Sequence, residues 1–207
     1  MYAKVCGLTA VDDVAAAVSG GADAIGVVMN DTSPRAIDAE LAARIVAAAR
    51  DLSRARRRID TVLVVNDKPA DRAAQLAREI GADVLQLHGR YTPDDFAVAT
   101  AIAPRVWRAT SLAHDPDLRV GAYGEELLLL DAPRPGSGEQ WDLSALAERG
   151  PRGRWLLAGG LRPDNVAAAI ARARPWGVDV SSGVESSPGV KDHAKIAAFL
   201  AEVRAAA

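Results

Sequence analysis

The chain has 207 residues, a formal net charge of −2 and an apolar content of 49%. No apolar run approaches the roughly 20 residues that span a bilayer, and one cysteine cannot form an internal disulfide. No Pro-rich or Ser/Gly-rich linker divides the chain, and its first residues lack the pattern of a secretory signal. We therefore predict one cytoplasmic domain, residues 1–207, with neither a membrane nor a nucleic acid as its partner.

Eight short apolar runs, rich in β-branched residues, recur along the chain and predict eight strands. They cover residues 3–8, 24–29, 60–66, 84–88, 105–111, 126–132, 154–160 and 177–183. Ala- and Leu-rich helical segments alternate with them, including residues 9–21 with Thr9 as the cap and residues 162–174 with Pro163 in the first turn. This alternation predicts a parallel sheet with helical crossovers.

Two architectures fit such a pattern, a closed barrel and an open, doubly wound sheet. Eight repeats are the number that closes a (β/α)8 barrel. No G-x-G-x-x-G run follows the first strand, and the eighth unit has its own closing helix at residues 191–206. We therefore predict the α/β class with a single (β/α)8 TIM barrel of eight parallel strands.

Polar residues share one parity within the strands, which predicts that they face the barrel interior near its C-terminal mouth. Because a buried charge costs several kcal/mol unless it is paired, and the first and eighth strands of a barrel are neighbours, we expect Lys4 and Asp179 to form an ion pair. The residues of this inward set are Lys4, Cys6, Gln86, His88, Asp131, Asp179 and Ser181.

Small residues follow the seventh and eighth strands, where barrel enzymes commonly bind phosphate through backbone N–H groups. Each glycine pair alone is also typical of a tight turn. Their joint occurrence at both loops favours a small phosphorylated molecule as the ligand, held by Gly159, Gly160, Ser182 and Gly183.

Other residues with reactive or charged side chains receive no function from the pattern alone. A lone cysteine such as Cys6 is typical of a small core residue. The basic stretch Arg50–Asp60 lacks interleaved aromatic residues and is interpreted as a solvated helix end. His114 and His193 receive no role, and no cluster of Cys, His and carboxylates has the spacing of metal ligands.

Eight motifs occur in order along almost the whole chain: KVCGLT (4–9), SPRAI (33–37), VNDKP (65–69), LQLHG (85–89), LLLDA (128–132), GSG (136–138), LAGGLRPDNV (157–166) and VDVSSGVESSPGVKD (178–192). Together they resemble the phosphoribosylanthranilate isomerase family of tryptophan biosynthesis. The first and last motifs are the most specific. The family has a (β/α)8 barrel, in agreement with the fold predicted above.

The resemblance implies the Amadori rearrangement of N-(5-phosphoribosyl)anthranilate, an aldose-to-ketose conversion that needs no redox cofactor and no metal. It implies that Asp131 is the general acid and Cys6 the general base. Arg35 matches the position that contacts the anthranilate carboxylate, and a guanidinium suits that planar anion. His88 and Asp179 are expected to contact the substrate, and a monomer is expected.

The chain departs from the family where relatives commonly have aromatic residues: it has Val27, Met29 and Ala36 there. Either a roomier pocket near the anthranilate ring or simple compositional drift, in a chain with only 4% aromatic residues, accounts for this departure. Two alternatives remain at this point. One is a related aldose–ketose isomerase of histidine biosynthesis, and the other is a barrel that binds phosphosugars without turnover.

Overall fold

The computed structural model describes residues 1–53, 58–112, 117–132, 143, 146 and 150–206. Eight parallel strands form a closed barrel in sequential order, and the eighth strand pairs with the first to complete it. The predicted barrel is confirmed, and the open sheet is excluded. The strands are β1 (Tyr2–Val5), β2 (Ala24–Val28), β3 (Asp60–Val65), β4 (Val84–His88), β5 (Val106–Ser111), β6 (Leu127–Asp131), β7 (Trp155–Leu157) and β8 (Gly177–Val180).

Several strands end earlier than predicted because glycine begins a loop. Gly7, Gly159 and Gly160 have φ angles of 72°, 87° and 66°, which a strand does not allow. The chain therefore leaves β1 and β7 before the predicted ends. After β8 a 3₁₀ turn (Ser182–Val184) leads into a short antiparallel hairpin of β9 (Glu185–Ser187) and β10 (Val190–Lys191).

The helices in the described ranges pack around the barrel, and none of them is long and apolar enough to cross a membrane. At the start of the helix Pro93–Ile102, Thr92 accepts from the Asp95 N–H, and the Asp95 carboxylate accepts from the Thr92 N–H. The helices are α1 (Val11–Gly20), α2 (Ala39–Ser53), α3 (Ala70–Glu79), α4 (Pro93–Ile102), α5 (Val166–Ala173) and α6 (His193–Ala205).

Two predicted helix starts are wrong. Ala10, not Thr9, is the N-cap of α1, because Asp13 accepts hydrogen bonds from the N–H groups of both Thr9 and Ala10. The Thr9 hydroxyl instead donates to the Gly189 carbonyl, 2.7 Å away. Helix α5 begins at Val166, so Pro163 lies in the preceding turn rather than in the first helical turn.

The strict alternation of strand and helix does not hold in the fifth unit, where residues 117–126 form turns and a bridge. A buried arginine anchors this segment. Arg108 donates to Glu125 at 2.8 Å and to the Asp117 carbonyl at 2.7 Å, and its guanidinium lies 4.4 Å from the centre of the Tyr123 ring. The predicted motif at residues 136–138 and the basic residues 54–57 lie outside the described residues.

The alternation of side chains along each strand separates two buried layers. One layer, exemplified by Val5, Ile25 and Leu87, packs between the strands and the helices. The other fills the barrel interior, where Cys6 and Leu129 lie among apolar residues that range in size from alanine to Trp107. Lys4, Gln86 and Asp179 share the inward parity, as predicted.

The predicted ion pair between β1 and β8 is confirmed. The two residues are register partners, and Lys4 Nζ lies 2.9 Å from Asp179 Oδ1. The Lys4 side chain is 0% exposed and that of Asp179 is 9% exposed. Because neither charge has free access to water, each depends on the other for compensation.

Removing one member of this pair should destabilise the protein strongly. We expect Asp179→Ala to lower the free energy of unfolding by about 3–5 kcal/mol, because the Lys4 ammonium is then buried without a counter-ion. The double variant Lys4→Met with Asp179→Val leaves no unpaired buried charge. Its free energy of unfolding should therefore fall by less than that of Asp179→Ala. Guanidinium denaturation measures both. A double variant less stable than Asp179→Ala would contradict this account.

Candidate active site

A cavity of about 670 Å³ opens at the C-terminal ends of the barrel strands. Its walls come from the strands and from the segments that follow β2 and β8. Six of the nine predicted site residues line it, which are Cys6, Arg35, His88, Asp131, Asp179 and Ser182. The fold thus brings together residues from five parts of the sequence.

Cys6 lies one residue beyond β1, where its N–H donates to the Val180 carbonyl at 2.8 Å. Gly26 of the neighbouring strand makes room for the thiol, since a Cβ at that position would lie 2.8 Å from Cys6 Sγ. Burial raises the pKa of Cys6, the charge of Lys4 opposes that rise, and the charge of Asp179 adds to it. The free thiol is therefore protonated at neutral pH.

Asp131 ends β6 and faces the same cavity. Burial raises its pKa to about 7, although the Ala132 N–H donates to Oδ1 at 2.8 Å and favours the carboxylate. Asp179 raises this pKa further and Lys4 lowers it. A carboxyl group with this pKa is partly protonated at neutral pH, so it can act as an acid there.

His88 lies beside Asp131, with Nε2 at 3.9 Å from Asp131 Oδ2. Burial and the charge of Lys4 lower the pKa of His88 to about 4. The imidazole is therefore neutral at pH 7, and its contact with Asp131 is not an ion pair. A neutral imidazole can still donate or accept a hydrogen bond within the cavity.

Lys4 lies beneath these groups and keeps its charge. Burial alone would lower its pKa, but the charges of Asp179 and Cys6 outweigh that effect, and the pKa is raised. Burial raises the pKa of Asp179, while Lys4 stabilises its carboxylate. One buried cation thus influences the proton affinities of Cys6, His88 and Asp131.

Arg35 belongs to a buried cluster that was not predicted. Its Nε and Nη2 atoms lie 2.6 and 2.9 Å from the two oxygens of Glu185, which also accepts from Lys191 at 2.8 Å. The formal charge of this cluster is therefore positive, while burial lowers the pKa of Lys191 and Glu185 opposes that effect. The hairpin of β9 and β10 pairs Glu185 with Lys191. The Pro-Gly turn between these residues was the available sequence signal.

The predicted phosphate-binding residues are divided between two places. Ser182 lines the large cavity, whereas Gly159 and Gly160 line a smaller one of about 190 Å³ beside α5. The two loops touch, because Gly183 lies against the Leu161 carbonyl with no room for a side chain. Asn165 holds the first loop, since its Nδ2 donates to the Gly160 carbonyl at 2.9 Å.

Of the two interpretations of the missing aromatic residues, the roomier pocket receives no support from where these positions lie. Val27 and Met29 pack in the layer between strands and helices, and Ala36 is exposed. None of the three lines the large cavity, which receives Val28 and Asn30 from this part of the chain. The residues present at positions 27, 29 and 36 therefore do not contribute to the cavity lining.

Within the described ranges, no group of three or more His, Cys, Asp or Glu side chains is arranged to hold a metal ion. Besides His88, Asp179 and Glu185, the titratable groups that line the large cavity include the thiol of Cys6 and the carboxyl of Asp131. Both are buried, and both have raised pKa values. Such an arrangement is suited to removing a proton from carbon and adding one to oxygen.

Comparison with known proteins agrees with this chemistry. Residues 3–202 match the family model of N-(5'-phosphoribosyl)anthranilate (PRA) isomerase. The enzyme of that name from Geobacter sp. (strain M21) is 43% identical over 212 residues, with 97% of each chain covered. The structure of TrpF from Jonesia denitrificans is 57% identical and has a TM-score of 0.87, with 100% of this chain and 98% of that chain covered.

A phosphoribosyl anthranilate isomerase solved with reduced 1-(o-carboxyphenylamino)-1-deoxyribulose 5-phosphate is also similar. It is 31% identical with a TM-score of 0.82, and 99% of each chain is covered. The agreement thus extends over the whole barrel and both ends of the chain. The chain belongs to the N-(5'-phosphoribosyl)anthranilate isomerase family.

Proposed function

We propose that this chain converts N-(5-phosphoribosyl)anthranilate into 1-(2-carboxyphenylamino)-1-deoxyribulose 5-phosphate by an Amadori rearrangement, a step of tryptophan biosynthesis. Family membership supports the reaction. The observation that carries the assignment of residues is that Cys6 and Asp131 line one cavity and that burial raises the pKa of Asp131 to about 7. A carboxyl group with an ordinary pKa would hold almost no proton at neutral pH.

Asp131 is the general acid in this proposal. Its carboxyl proton passes to the ring oxygen of the furanose, the bond between that oxygen and C1 breaks, and the nitrogen lone pair forms a C1=N iminium. The positive charge on nitrogen then acidifies the hydrogen on C2. Asp131 is suited to the step because its protonated form is available near pH 7.

Cys6 is the general base. Its thiolate removes the proton from C2, and the electrons of that bond form C1=C2 and neutralise the iminium, giving an enolamine. Tautomerisation then places a proton on C1 and leaves a carbonyl at C2. Lys4 favours the thiolate electrostatically, and this partly offsets the burial that opposes it.

The remaining predicted residues are proposed to hold the substrate. The net positive charge of the cluster of Arg35, Glu185 and Lys191 suits the single carboxylate of the anthranilate ring. Backbone N–H groups in the adjoining loops would hold the phosphate, and His88 and Asp179 would contact the sugar. The proposed phosphate residues are Gly159, Gly160, Ser182 and Gly183.

We also propose that the chain acts as a monomeric, single-domain protein in the cytoplasm. Among the described residues, the exposed large apolar side chains are few and come from different segments, which supports a monomer. The single cysteine suits a reducing compartment. The exposed residues are Met1, Leu52, Val98, Trp176 and Val190.

Replacing the thiol should stop turnover without removing the ligand site. We expect Cys6→Ala to lower kcat by about a hundredfold or more, because no other group then takes the proton from C2. The loss of phosphoribosylanthranilate fluorescence measures the rate. Ser53→Ala is the matched control, because it also removes one polar heavy atom from a buried position and its hydroxyl bonds only within α2.

Two outcomes of this assay would contradict the proposal. Full activity in Cys6→Ala would exclude the thiol as the base. A wild-type protein that binds the substrate without consuming it would instead indicate a phosphosugar-binding barrel.

The pH dependence of kcat/KM should reflect both raised pKa values. The productive form pairs protonated Asp131 with the Cys6 thiolate, and the acid has the lower pKa of the two. The population of that form therefore rises with pH up to about 7, where Asp131 titrates, and falls only above the raised pKa of Cys6. Steady-state rates between pH 5 and 10 measure this profile.

His88→Asn serves as the control for the acid limb of that profile. An ordinary histidine would titrate near the same pH. Because the pKa of His88 is lowered to about 4, its replacement should leave the acid limb near pH 7. An acid limb below pH 5 in the wild type, or one that disappears in His88→Asn, would contradict the assignment.

A further inference from the structure

Gln86 is a polar side chain in the large cavity that lacks a partner for its acceptor. It lies in β4 on the face that points into the barrel and is 2% exposed. Among the described residues, none donates a hydrogen bond to its Oε1 atom. Leaving a buried acceptor unpaired costs about 1–3 kcal/mol. The free protein therefore carries a cost that a ligand with a suitable donor would remove.

The strands on either side do not supply that donor. The register partners of Gln86 are Val64 on β3 and Trp107 on β5. Valine has no donor in its side chain, and the indole N–H of Trp107 donates to Glu126 at 3.4 Å instead. Gln86 lines the large cavity, so a ligand bound there can supply a donor.

The positions of Cys6 and Asp131 indicate which hydrogen-bond donor of the substrate lies near Gln86. Cys6 and Asp131 line the same cavity as Gln86, so the sugar carbon atoms that lose and gain protons must lie within that cavity. C2 of the sugar carries both the proton that Cys6 removes and a hydroxyl group. We propose that Gln86 Oε1 accepts a hydrogen bond from this 2-hydroxyl and that Gln86 thereby selects ribose over 2-deoxyribose ligands.

This inference rests on the proposed function and adds a chemical role to it. In the enolamine the 2-hydroxyl becomes an enol, which is a stronger hydrogen-bond donor than an alcohol. An acceptor placed beside it therefore binds the transition state for proton removal more tightly than the ground state. Gln86 is thus a positioning and specificity residue, and it takes no proton itself.

Two inert ligands isolate the contact. Reductive amination of ribose 5-phosphate with anthranilate gives an amine that keeps the 2-hydroxyl, and 2-deoxyribose 5-phosphate gives the same amine without it. Calorimetric titration of wild type and Gln86→Met with each ligand yields four dissociation constants. We expect the wild type to prefer the first ligand by about tenfold or more and Gln86→Met to bind the two within about threefold.

Stability distinguishes this role from a structural one. Methionine has a similar shape and no unpaired acceptor, so Gln86→Met should unfold at the same temperature as the wild type or a higher one. If Gln86 supported the fold instead, its replacement would lower the unfolding temperature and weaken the binding of both ligands equally. Leu129→Met, another inward residue of the cavity lining, is the matched control and should keep the preference of the wild type.

The outcomes separate this inference from the function on which it rests. A wild type that binds neither ligand and leaves phosphoribosylanthranilate unchanged contradicts both. A wild type that catalyses the reaction but binds the two ligands equally overturns the role of Gln86 alone. An equal loss of affinity for both ligands in Gln86→Met also overturns it.

Discussion

The ammonium group of Lys4 is enclosed by the barrel, and the proton chemistry of the cavity depends on how that charge is compensated. Asp179 pairs with it at 2.9 Å across the seam where β8 meets β1. The same cation opposes the rise in the pKa of the Cys6 thiol and of the Asp131 carboxyl, and it adds to the burial that lowers the pKa of His88. Closing the barrel therefore brings the buried cation close to the groups whose pKa values it lowers.

The features that were predictable from sequence are those that depend on local periodicity. Alternation of period two placed Lys4, Cys6 and Gln86 on one face, and the number of strands required β8 to meet β1. The pairing of Lys4 with Asp179 followed from those two facts and from the cost of an unpaired buried charge. Each of these steps uses only residue spacing and general energetics.

The features that were missed depend on contacts between distant segments. Arg35 and Glu185 are 150 residues apart, and their pairing requires the segment after β2 to meet the hairpin after β8. Thr9 bonds to Gly189 rather than capping α1 for the same reason. The buried Arg108 anchors a loop at residues 117–126, where the alternation of strands and helices predicts a helix. Helical propensity alone contains no signal of this contact.

Burial keeps the carboxyl of Asp131 partly protonated at neutral pH, and the proposed acid step depends on this. The most direct test is a pH titration of the side-chain carboxyl carbon of Asp131 by ¹³C NMR, assigned with Asp131→Asn. We expect a midpoint near 7, as burial dictates. A midpoint at the ordinary value for aspartate, about 4, would contradict the account, because almost no acid would then be available to open the sugar ring.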